Sequence, residues 1–168
     1  GTGDVRLAAQ NSLLLNSSVT TAGNVDLSTS GDGSSVTLNS QVTGAKVNVT
    51  AGSANNRGSI VANAGNLIAG TDLTLRGAAV GSSTSKLNTA VDSVDAITTT
   101  GGIFISEANS LVLSAVAAPG APVDVRTLNG GLTVVSADGN GVSLTTGGDD
   151  SDIVVNGDIN GHSGTVLL

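Results

Sequence analysis

Few side chains in this 168-residue chain can do chemistry: 13 acidic and 6 basic residues, one histidine and no cysteine. The densest group is Gly147-Gly148-Asp149-Asp150-Ser151-Asp152, whose three carboxylates offer hard oxygen ligands of the kind Ca²⁺ takes. Their spacing fits neither an EF-hand loop nor the Gly-Gly-x-Gly-x-Asp nonapeptide of calcium-binding β-rolls. Asp149, Asp150 and Asp152 therefore read as a solvated turn, and no metal ligands are assigned. Asp92 and Asp95 could pair for acid–base work on a polysaccharide, but such a site needs basic and aromatic side chains to grip sugar. The basic residues Arg6, Lys46, Arg57, Arg76, Lys86 and Arg126 are scattered, and Phe104 is the only aromatic. His162 stands alone in Asn160-Gly161-His162-Ser163-Gly164, a turn rather than the setting of a general base. No Cys/His nucleophile arrangement occurs, and no phosphate-cradling loop opens a helix. The chain reads as non-enzymatic, with no catalytic residue, metal or cofactor.

A net charge of −7 disfavours nucleic acid and anionic lipid as partners. No apolar run is long enough to insert into a membrane. With 39% hydrophobic and only 11% charged residues, the chain lacks the signature of disorder and is expected to fold. Gly, Ser, Thr and Asn make up nearly half of it. Such small side chains cannot fill a thick core, which leaves a thin one of Val, Leu, Ile and Ala. The absence of methionine suggests an excised or processed piece of a longer protein.

The elements that carry these residues are set by a repeat of apolar, any, apolar. One series runs Val5-Arg6-Leu7, Val25-Asp26-Leu27, Val47-Asn48-Val49, Leu73-Thr74-Leu75, Ile103-Phe104-Ile105, Val123-Asp124-Val125, Val142-Ser143-Leu144 and Val166-Leu167-Leu168. Its mean interval is about 23 residues. A second series falls between, at Leu13-Leu14-Leu15, Val36-Thr37-Leu38, Ile60-Val61-Ala62, Val91-Asp92-Ser93, Leu111-Val112-Leu113, Thr133-Val134-Val135 and Ile153-Val154-Val155. Several of its copies are followed by Asn16, Asn39, Asn63 or Asn156, with Ser114 and Ser136 elsewhere. Asparagine suits a sharp corner, and its amide can bond to the same corner one coil above and below. A third apolar position follows at Val19, Val42, Leu67, Ile97, Val116 and Ile159, giving each coil three sides.

Alternation of this kind predicts short strands, and Gly, Asn, Thr and β-branched residues argue against helix. Repeats that cannot bury their apolar faces alone must stack. The expected fold is all-β: a single right-handed parallel β-helix over residues 1–168, of about seven three-sided coils. The middle residues of the first series should form an outer ladder, with Arg6 beside Asp26 as a cross-rung pair. That ladder puts Phe104 outside, next to the largest insertion, Arg76 to Ala90, which contains Gly81-Ser82-Ser83-Thr84-Ser85-Lys86. Either residues 76 to 90 fold across Phe104 or the ring makes a lateral contact. The insertion reads first as a tolerated loop and second as a place where binding can be grafted.

The segments from Leu13 to Leu27, Ala96 to Gly102 and Asp152 to Gly161 resemble coils of large bacterial exoproteins of the filamentous-haemagglutinin type. The only prolines are Pro119 and Pro122, so the Asn-Pro motifs of that family's secretion module have no match and the resemblance is to shaft. It implies a secreted or surface-bound right-handed β-helix serving as an adhesin, biofilm component or filament. The reading is a structural shaft or scaffold segment, extracellular or on the cell surface. Its partners would be flanking coils or other copies at the open ends, with host or matrix ligands on the sides. The alternative is a filament subunit stacking head to tail. Behind both stand a carbohydrate-active β-helix enzyme and an ice-binding solenoid, the latter because Thr20-Thr21 and Thr98-Thr99-Thr100 occupy related corners in a ladder broken elsewhere.

Overall fold

The computed structural model of the chain describes residues 1–149 and 151–168. The described residues form nineteen β-strands and no helix. One eight-stranded parallel sheet stacks Val5–Ala9, Val25–Thr29, Lys46–Thr50, Asp72–Gly77, Ser93–Thr98, Leu111–Ala118, Leu132–Gly139 and Ile153–Asn160. A second stacks Val19–Thr20, Gln41–Thr43, Leu67–Ala69, Leu87–Ala90, Ile103–Glu107, Val123–Thr127, Val142–Thr145 and Val166–Leu167. The chain is a β-solenoid of about eight turns, one more than the repeat spacing suggests. Register partners lie between 18 positions apart, as Leu87 and Ile105, and 26, as Val47 and Leu73.

A third sheet of Leu13–Leu15, Val36–Leu38 and Ile60–Ala62 gives the first three coils their third side. Beyond it the third side shrinks to Val80, which bridges Ile60 below and Ile103 above. From that point the second-sheet strand takes over the third side, with Ile103 on Val80 and Ile105 on Leu87. The first-sheet strands lengthen to eight residues and shift register between Val94 and Asp95 and again between Val134 and Ser136.

This change of cross-section splits the first motif series between two faces. Val5, Val25, Val47 and Leu73 stack on the first sheet, where the next partner of Leu73 is Val94, not Ile103. Ile103, Val123, Val142 and Val166 stack on the second. The expected outer ladder is thus two ladders, one beginning Arg6, Asp26, Asn48, Thr74 and the other running Phe104, Asp124, Ser143, Leu167. The repeat is too degenerate to mark the jump, because every face needs the same apolar alternation.

The inward rows are Val, Leu, Ile and Ala, and in the middle rungs they are fully buried. Parallel ladders satisfy the backbone polar groups, so one narrow apolar row per face suffices. Corners are braced by threonine: Thr98 and Thr127 each donate to a carbonyl three residues on, Gly101 and Gly130, at 2.6 Å. Thr29 donates to the Ser34 carbonyl and accepts from the Gly52 amide. Gly58 is obligatory, because a Cβ there would run into the Ser34 carbonyl oxygen of the coil beneath.

Candidate functional site

The asparagine corner forms as expected for three coils. Asn39 donates its side-chain amide to Asn16 at 2.7 Å, and Asn63 donates to Asn39 at 2.8 Å. Asn156, Ser114 and Ser136 are not part of it, since they lie within first-sheet strands. Thr20 and Thr43 are in register, but Ala69 and Ala90 follow them. Thr98 belongs to a different face, beside Gly77 on the first sheet, so the two threonine runs do not share a corner.

Most cations are already matched by carboxylates. Lys46 stands 3.1 Å from Asp72, Arg57 3.8 Å from Asp32, Arg76 2.8 Å from Asp95 and Lys86 2.5 Å from Asp124. Arg6 and Asp26 are in register on neighbouring rungs, yet among the described residues neither makes an ion pair. The Ser93 hydroxyl donates to Asp72 Oδ1 at 2.7 Å, and that bond, together with Lys46, holds the Asp72 carboxyl below the usual carboxylate range. His162 sits exposed on a turn at φ 48°, its Nε2 2.5 Å from Asp138 Oδ1.

The candidate carboxylate pair does not assemble. Asp95 Oδ2 is taken by Arg76, and its Oδ1 is buried without a hydrogen-bond partner among the described residues. Asp92 instead lines a groove of about 410 Å³ with Ser110, Thr133 and Asp152. Asp92 stands on the fifth rung and Asp152 on the eighth, about 14 Å apart at the rung spacing, beyond the reach of a glycosidase pair. Asp150 lies outside the described residues. Asp149 is exposed, and among the described residues no three His, Cys, Asp or Glu side chains converge on a metal position.

Phe104 faces outward and is half-buried. Its ring lies over Gly102, where a Cβ would come within 2.7 Å of Cε2, and lines an apolar groove with Pro122 and Leu167. Lys86 precedes Leu87, the register partner of Ile105, while Asp124 is the partner of Phe104. The Lys86–Asp124 bridge therefore spans the rung of Phe104. The lysine side chain is only 18% exposed.

Glu107, the single glutamate, is fully buried, in register with Thr89 and Thr127. Its two oxygens accept from the Val91 and Asn109 amides, at 3.2 and 3.0 Å. It was missed as an interior residue, although the alternation that puts Ile103 and Ile105 inside extends to it.

The ends of the solenoid are open. Val134 and Val142 are 0% and 1% exposed, whereas their register partners on the last rung, Val155 and Val166, are 45% and 42% exposed. On the first rung Val5, Leu7, Leu13 and Val19 are only partly buried, while Val25, Leu27, Val36 and Val42 above them are buried completely. Strand edges and apolar rows are both exposed there. No protein-family profile, curated protein or solved structure matches the chain.

Proposed function

We propose that the chain is a structural shaft or scaffold segment of a secreted or cell-surface, adhesin-like protein, with no catalysis of its own. The observation that carries this reading is the stack of parallel rungs around one narrow apolar core, an architecture that lengthens by adding coils and suits a spacer. The resemblance of the coils to filamentous-haemagglutinin shafts supports it. Extracellular placement follows from that resemblance, as does display of host- or matrix-binding surfaces on the sides. With a net charge of −7 and two parallel sheets that each run eight strands deep, the segment acts as a stiff spacer rather than a binder of nucleic acid or membrane.

Head-to-tail assembly of copies is the second reading. In its favour, Arg6 on the first rung and Asp158 on the last both face outward from the first sheet, without an ion pair among the described residues. Asp158 is the partner of Ser136 and Arg6 that of Asp26. Against it, Val5 and Leu7 are two residues apart, whereas the residues that continue their rows at the other end, Val155 and Ile159, are four apart. A seam between copies would have to absorb that two-residue bulge, and a covalently continued coil would not.

Electron microscopy with sedimentation of the purified chain separates the readings. Separate rods about 34 Å long and of single-chain mass are expected for a shaft. Long fibres would replace it with the filament. Antibody raised against the rod should label intact producing cells, and labelling only after permeabilisation would remove the surface assignment.

A further inference from the structure

The insertion at residues 81–86 builds one wall of a second groove, of about 420 Å³, a volume within the range of small-molecule sites. Its chemistry is the reverse of the molecule's. On a chain of net charge −7, Lys86 and Arg126 line it and, among the described residues, no carboxylate does. Lys86 is committed to Asp124. Arg126 is exposed and donates from Nε to the Ser106 hydroxyl at 3.2 Å, which leaves its terminal nitrogens without an ion-pair partner among the described residues. An unpaired guanidinium fork suits a planar oxyanion.

The remaining lining is amides and hydroxyls, held in place by bonds to the coils. Asn88 donates its side-chain amide to the Asn66 carbonyl, Asn63 donates to Asn39, and the Ser85 hydroxyl donates to the Ala62 carbonyl. Asn63 and Asn88 are exposed, and their side-chain oxygens, with no donor among the described residues, face water that a ligand would displace. An inorganic anion at neutral pH offers mainly acceptors and would not serve them. A ligand carrying hydroxyl groups beside its anionic group serves both, because it donates to the amides and accepts from the arginine. A long polyanion is disfavoured by the net charge of −7.

We propose that this groove binds a carboxylate-bearing sugar unit, with Arg126 taking the carboxylate and Asn63 and Asn88 receiving sugar hydroxyls. The assignment is independent of the shaft reading, since it concerns a lateral face and not the ends. The test is an NMR titration of the ¹⁵N-labelled chain with galacturonate, with galactose and inorganic phosphate as controls. Expected are millimolar binding of galacturonate, with shifts confined to residues 82–88, Ser106 and Arg126, and at least about tenfold weaker binding of either control. Arg126→Gln, at an exposed position, should keep the melting temperature and lose about tenfold in affinity. Absence of galacturonate binding overturns the proposal, as do shifts elsewhere, equal binding of galactose or phosphate, or an unaffected Arg126→Gln chain.

Discussion

Glu107 and Asp72 show how differently two carboxylates can serve the same scaffold. Glu107 is enclosed, and its oxygens replace the ladder partners that the Val91 and Asn109 amides lack at a corner. Truncation by Glu107→Ala would leave the buried Val91 amide unmet, while exposed Asn109 turns to water, which should cost about 2 kcal/mol in urea unfolding. A loss below about 0.5 kcal/mol would mean that water replaces the carboxylate. Asp72 is at the surface, and its pKa is depressed by Ser93 first and Lys46 second. A depressed carboxylate adds stability above its unfolded pKa and loses it as pH falls through the folded value, so its contribution disappears only in strong acid. Ser93→Ala should raise the Asp72 midpoint toward the usual range, as followed by carboxyl NMR shifts; an unmoved midpoint would assign the depression to Lys46 alone.

At the scale of elements, the insertion is an interruption of a strand rather than an extension of a corner. Val80 and Leu87 flank it, and one coil higher their partners Ile103 and Ile105 are separated by Phe104 alone. Replacing residues 81–86 by a single residue should therefore let the strand run through. The expected result is a chain that folds with a melting temperature equal to or above that of the parent, because a shorter loop costs less entropy to close. Unfolding of that variant would show that Ser85 and Lys86, through Ala62 and Asp124, stabilise the coils they touch. The threonine braces and the asparagine ladder act at the same scale, tying each corner to its own turn or to the next coil.

Across the whole molecule, coils touch chiefly their neighbours, with Lys86–Asp124 and Thr99–Asn56 each reaching past one rung, so stability accumulates along the stack and is lowest at the ends. Amide hydrogen exchange should be slowest in the middle first-sheet strands, around Leu75, Val94 and Leu113, and fastest in Val5–Ala9 and Val166–Leu167. Uniform protection from end to end would indicate that the ends are covered in solution. The single aromatic residue is consistent with this architecture, because a core one row wide per face is filled by Val, Leu and Ile.

The alternation of apolar residues determined by itself that the chain is all-β, stacked and parallel, since short amphipathic repeats have no other way to bury their faces. It also determined that Asn16, Asn39 and Asn63 turn a shared corner and that Phe104 points outward. Only the tertiary structure decided which face each repeat occupies, because a degenerate pattern is the same on every side of a coil and Val80 alone marks where the second-sheet strand takes over the third side. The same holds for the pairings of Asp95 with Arg76 and Lys86 with Asp124 and for the groove around Arg126. Those depend on which rungs become neighbours, and stacking distance is not written in sequence spacing.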